Sequence, residues 1–98
     1  MGYNIEIKRN AEQDTENAID YYFTISIDLT IRFKDELYAT YEKITTNPEF
    51  YKYLSKKKGK NYRCIRLKSF PYLVIYKIIG NSIIVISVFN TNRKPVYG

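Results

Sequence analysis

Lysine, arginine, tyrosine and the carboxylates are the side chains with which this sequence can do chemistry, because it has no histidine and only one cysteine, Cys64. Without histidine there is no Ser-His-Asp triad, no imidazole general base and none of the usual histidine-containing zinc sites. Any chemistry therefore falls to lysine, arginine, tyrosine or a carboxylate. The cations are placed unevenly. The first 49 residues carry five cations and all ten acids, a net charge of −5, whereas residues 50–98 carry eleven cations and no carboxylate side chain, a net charge of +11. A basic half of this kind attracts nucleic acid, an acidic protein segment or an anionic membrane surface before any specific contact forms. A merely solvated lysine-rich face is the alternative. Within this half, Phe50, Tyr51 and Tyr53 interleave with Lys52 ahead of a run of Lys56, Lys57, Lys58 and Lys60 around Gly59. Such a loop is either plain solvated charge or a surface for unstacked bases and phosphates.

These side chains need a frame, and 98 residues with 45% apolar content suit one domain spanning residues 1–98. Its longest apolar runs, Tyr72 to Tyr76 and Ile83 to Ile86, are far below the ~20 residues of a membrane helix. The opening Met1-Gly2-Tyr3-Asn4 has no charged leader followed by an apolar stretch, so a cytoplasmic protein without a membrane partner is expected. Cys64 cannot form an internal disulfide, which suits a reducing compartment, and it reads as an inert strand residue. No cofactor and no metal are expected.

Alternation over residues 3–9 predicts a first strand. From Ala11 the period becomes helical, with Ala11, Ala18, Ile19, Tyr22 and Phe23 on one side. Asn10 is the expected cap, and Glu12 and Asp14 suit the positive end of this helix. Ser26 and Asp28 offer a second start, after which Leu29, Phe33, Leu37, Tyr41 and Ile44 form a helical stripe that Asn47-Pro48 ends. Two helices so joined should pack as an antiparallel hairpin. Three strands follow, Tyr62 to Lys68, Tyr72 to Ile79 and Ser82 to Phe89, with Gly80-Asn81 as a two-residue turn between the last two. The fold class is α+β, in the order β-α-α-β-β-β, with the helical hairpin packed on one face of a small, mainly antiparallel sheet.

Tyr22, Phe23, Phe33 and Tyr41 are expected in the core, as are Leu37, Ile65, Leu67, Ile75 and Ile86. Arg32 is expected to pair with Asp28 or Glu36 on the helix surface. Counting outward from the turn places Ile79 opposite Ser82, Ile75 opposite Ile86 and Leu73 opposite Val88. The other side then carries Tyr72, Val74, Tyr76 and Ile78 across from Phe89, Ser87, Val85 and Ile83. Both faces are apolar, yet two helices can cover only one. The uncovered face is expected to dock an amphipathic partner, unless C-terminal residues or a second copy cover it.

Several segments in order, Tyr21-Tyr22, Arg32-Phe33, Leu37, Asn47-Pro48, Tyr62-Arg63, Arg66-Leu67, Phe70-Pro71-Tyr72, Tyr76 and Val88-Phe89-Asn90-Thr91-Asn92-Arg93-Lys94-Pro95, resemble the RelE/ParE superfamily of bacterial toxins across nearly the whole chain. The resemblance implies the toxin of a type II toxin–antitoxin pair, wrapped and neutralised by its cognate antitoxin. Tyr72, Tyr76 and Phe89 are the residues expected to meet that antitoxin. The target is either DNA gyrase, as for ParE-like toxins, or the ribosome and its mRNA, as for RelE-like endoribonucleases. A homodimer and a hetero-oligomer with the antitoxin both stay open. As a nuclease the chain would use Arg66, Lys68, Arg93 and Tyr97. Lys52, Lys57, Arg63, Lys77 and Lys94 are expected to contact target or nucleic acid. The sequence departs from the nuclease pattern at Leu73, where RelE-type enzymes place an arginine, and at Thr91, where a basic residue is expected. Loss of two phosphate-stabilising cations favours a ParE-like, non-nucleolytic toxin. A basic nucleic-acid-binding module without toxicity is the further alternative.

Overall fold

Two helices lie across one face of a four-stranded sheet in the computed structural model, which describes residues 2–54 and 61–92. The elements are β1 (Asn4–Ile7), α1 (Arg9–Phe23), α2 (Ile27–Thr46), β2 (Arg63–Arg66), β3 (Tyr72–Ile79) and β4 (Ser82–Asn90). The strand order is β1-β4-β3-β2, with β1 parallel to β4 and the other two pairings antiparallel. Among the described residues no helix is long and apolar enough to cross a membrane.

The helix boundaries follow local chemistry. Ser26 caps α2 by accepting the Leu29 N–H at 3.1 Å, and Asn47, ahead of Pro48, closes it. The first helix differs from expectation at its start. Lys8 takes the cap position without a side-chain bond, and Asn10 lies inside the first turn. The helix begins earlier because the Lys8 N–H is already bound to the Val85 carbonyl at 3.0 Å, so strand pairing fixes where α1 can start.

Tyr22, Phe33, Phe70 and Tyr72 form the aromatic centre of the core, with Phe33 5.4 Å from Phe70 and 5.3 Å from Tyr72 between ring centroids. Leu37, Ile44, Leu67, Val74, Tyr76, Ile83, Val85 and Val88 extend it beneath the helices, with Ile65 partly buried at its margin. Phe23 is a correction, being 62% exposed as the last residue of α1, at the tip of the helical hairpin. Arg32 does not pair as expected, since the one ion pair among the described residues joins Lys8 to Glu6. Glu36 turns instead to the chain after β2, accepting the backbone N–H groups of Lys68 and of Ser69, the latter at 2.9 Å.

Gly80 supplies the positive φ of 57° that the β3–β4 turn demands, and Ile79 does face Ser82. The register holds as far as Tyr76 opposite Val85 and then slips by one residue. Ile86 forms a bulge, so Ile75 faces Ser87, Val74 faces Val88, Leu73 faces Phe89 and Tyr72 faces Asn90. Asp14 of α1 seats the bulge, accepting the Ser87 hydroxyl at 2.9 Å and the Val88 N–H at 3.0 Å. Beyond it Val88 turns into the core, and Phe89 shares the far face with Leu73. Ile86 itself is half-buried, while Ile75 is buried on the far face, outside the core under the helices.

Candidate functional site

The sheet face away from the helices carries Arg66 of β2 and Lys77 of β3, whereas Arg63, paired with the core-facing Tyr76, lies on the other side. Pairing of Cys64 with Ile75 and of Arg66 with Leu73 places these four side chains together, next to Lys77 and Ile84. Cys64, Ile75 and Ile84 are buried at its middle, whereas Leu73, Ile86 and Phe89 are half-exposed. Tyr72 and Tyr76 are corrections to the expected antitoxin surface. Both point into the helix-covered core at 5% and 0% exposure, and the Tyr76 hydroxyl donates to the Pro48 carbonyl at 2.6 Å. The helices cover the side of β3 that carries the tyrosines, which leaves Phe89 as the one candidate of the three on the open side.

The chain after α2 runs back along β2 and shields this strand's outer edge. Leu54 donates its N–H to the Tyr62 carbonyl at 2.8 Å, and the Lys52 carbonyl accepts the Cys64 N–H at 3.1 Å. Arg63 ties the same segment down from the other side. Its guanidinium donates to the carbonyls of Glu49 (3.1 Å) and Tyr51 (2.7 Å) and to the Tyr53 hydroxyl (2.9 Å), and it lies 4.2 Å from the Tyr53 ring centroid. Arg63, expected at the target surface, is therefore engaged within the fold. An open cleft of about 570 Å³ lies between this segment and the sheet, lined by Phe50, Tyr51, Lys52, Tyr53, Leu54, Cys64, Ile65, Arg66 and Leu73. Burial pushes the Cys64 thiol up, against the opposing pull of the Lys52 and Arg66 cations beside it. The thiol thus stays protonated and inert as a nucleophile.

Of the candidate residues, the fold brings Lys52 and Arg66 into one cleft. Lys77 stands 5.7 Å from the Tyr62 ring centroid on the same face, and exposed Lys68 follows β2 in the turn held by Glu36. Lys57, Arg93, Lys94 and Tyr97 lie outside the described residues. Leu73 sits directly beside Arg66, so the position where a RelE-type nuclease has a second strand arginine is apolar here. Tyr22, Tyr41 and Tyr76 are each pushed up to about 12, chiefly by burial, which unfits them to move a proton at neutral pH.

A second surface escaped the sequence reading. Ile27, Ile31 and Tyr38 are 63%, 51% and 55% exposed along one outer stripe of α2, and Phe23 and Ile25 extend the patch around the hairpin tip. The spacing of Ile27, Ile31 and Tyr38 is a helical stripe in its own right, offset from that of Phe33, Leu37 and Ile44. A second stripe was the available signal. Asp20 and Asp28 flank the turn, so this patch is apolar with an acidic rim.

Comparison with known proteins agrees with this architecture. Residues 5–95 match the family described as "ParE toxin of type II toxin-antitoxin system, parDE". A solved structure described as "Chromosomal ParDE TA system from P. aeruginosa" is similar in fold, with a TM-score of 0.78 at 13% identity over 90% of this chain and 95% of that chain. No curated protein matches the sequence. With two helices on a four-stranded sheet and a family match over nearly its full length, this chain belongs to the ParE toxin family of type II toxin–antitoxin systems.

Proposed function

We propose that this ParE-like toxin arrests bacterial growth by binding DNA gyrase, with no bond-breaking chemistry of its own, and that a cognate antitoxin relieves the arrest. Family membership supports the toxin role, and the pairing of Arg66 with Leu73 carries the non-nucleolytic reading. Cleavage of RNA by its own 2′-hydroxyl needs charge stabilisation on the phosphoryl oxygens and a group that can move protons. The far face offers one strand arginine beside a leucine, and Tyr76 of β3 is turned away from it into the core, where burial holds its proton up to about 12. A protein target asks only for a shaped surface of charge and apolar contact.

The exposed patch of Phe23, Ile25, Ile27 and Ile31 supports the helical hairpin as the antitoxin's docking surface, in place of Tyr72 and Tyr76. The test is inducible expression in a bacterial host with DNA supercoiling and messenger RNA 5′ ends followed in the same culture. Growth arrest with failing supercoiling and intact transcripts is the expected result. Codon-phased transcript cuts with normal supercoiling would overturn it in favour of a ribosome-dependent ribonuclease.

A further inference from the structure

We propose that the cleft between residues 50–54 and the far face of β2 and β3 is a binding site for single-stranded nucleic acid, with one unstacked base on Phe50 and adjacent phosphates on Lys52 and Arg66. This goes beyond a protein target, because it gives the toxin a nucleic-acid contact of its own. Phe50 is 73% exposed, unusual for a phenylalanine, and its ring is held by an edge-to-face contact with Tyr51 at 5.1 Å. Tyr53, 49% exposed, also lines the cleft. The volume of about 570 Å³ is of the size that accepts a small ligand and suits a nucleotide unit. Lys52 and Arg66 both line the cleft, together with Cys64. Residues 50–98 carry no carboxylate side chain, and the nearest one in sequence is the exposed Glu49.

A stacking ring beside cations that follow a backbone is how single strands are held without strong sequence preference. A duplex keeps its bases paired and has nothing to place on Phe50. An acidic peptide would satisfy the cations but would leave the ring without a partner. Arg63 is the positioning residue. Its three hydrogen bonds and its stacking on Tyr53 fix the wall that carries Phe50 and Lys52, so the site is preformed.

The purified full chain, without gyrase, is titrated by fluorescence anisotropy against a labelled oligothymidylate of about twelve nucleotides, within the span of one small binding fold. Phe50→Ala should weaken binding at least about fivefold, the lower end of one lost base stack. Lys52→Ala and Arg66→Ala should each lower the slope of log affinity against log salt by about 0.7. Arg63→Ala should weaken binding while leaving that slope unchanged, because its charge faces the protein and not the phosphates. Lys43→Ala, in the last turn of α2, is the control for bulk charge and should change little. Circular dichroism of each variant confirms that the fold is retained. Equal binding of the matching duplex, competition by a polyglutamate peptide, or indifference to Phe50→Ala would overturn the site. Because gyrase is absent from the assay, its outcome is independent of whether gyrase is the cellular target.

Discussion

Two tyrosine hydroxyls show how differently buried polar atoms can be placed. Tyr76 donates to the Pro48 carbonyl at 2.6 Å, a bond that pins the end of α2 to the centre of the sheet. The Tyr41 hydroxyl is buried without a hydrogen-bond partner among the described residues; Thr15 is near enough to bear on its ionisation but lies outside bonding geometry. Removing a satisfied hydroxyl leaves its acceptor stranded, whereas removing an unsatisfied one relieves a desolvation cost. Tyr76→Phe is therefore expected to destabilise the fold by about 1–3 kcal/mol, and Tyr41→Phe to be neutral within about 0.5 kcal/mol or stabilising. Urea midpoints of the two variants against the parent check the contrast. At this scale residue type was legible and engagement was not. Arg63 and Arg66 look alike in the sequence, two strand positions of opposite sidedness apart from any helix signal, yet one is tied into the chain's own carbonyls and the other stands exposed in the cleft.

Among the elements, the helices were the most legible, because a core stripe repeats every turn and a cap is a local event. Ser26, Phe33, Leu37 and Ile44 occupy the places their spacing implied. The β3–β4 hairpin was legible for its first four pairs and then lost its register at Ile86. The seat of that bulge is Asp14, whose carboxylate reaches Ser87 and Val88 across 73 and 74 positions of sequence, so no local pattern could reveal it. Asp14→Ala should cost about 1–3 kcal/mol through the unpaired Val88 N–H. Chemical denaturation reads the loss, and amide exchange at Val88 should rise with it. The helical hairpin makes a separate prediction. Ile27→Asp with Ile31→Asp, at side chains already more than half exposed, should leave the unfolding midpoint nearly unchanged and abolish antitoxin capture in a pull-down of the co-expressed pair. Retained capture would remove the hairpin as the docking surface.

At the scale of the whole molecule, an acidic helical layer lies against a sheet whose β2 and β3 carry cations and no acids. Three tyrosines in or against the core also give the molecule a defined alkaline limit. Tyr22, Tyr41 and Tyr76 keep their protons to about 12 in the fold against 10.0 for an unburied tyrosine. Below about pH 10 both states are protonated and this contribution to stability is complete. Between about pH 10 and 12 the unfolded chain releases protons that the folded chain retains, so stability falls as pH rises. A urea midpoint that drops steadily above about pH 10, with tyrosinate absorbance appearing together with unfolding, is the expected result. A flat midpoint would refute it. The sequence by itself determined the element order, the helical stripes, the turn at Gly80, the one-sided placement of the acids and the absence of histidine chemistry. These are matters of composition and short-range periodicity. Only the tertiary structure decided that Tyr72 and Tyr76 face the helices, that Phe89 stays on the open side, that Arg63 folds back on residues 49–53 and that Lys52 meets Arg66 in a cleft. Each of those outcomes depends on which of two apolar faces the helices cover and on bonds between segments far apart in the chain, and such contacts have no signature in local spacing.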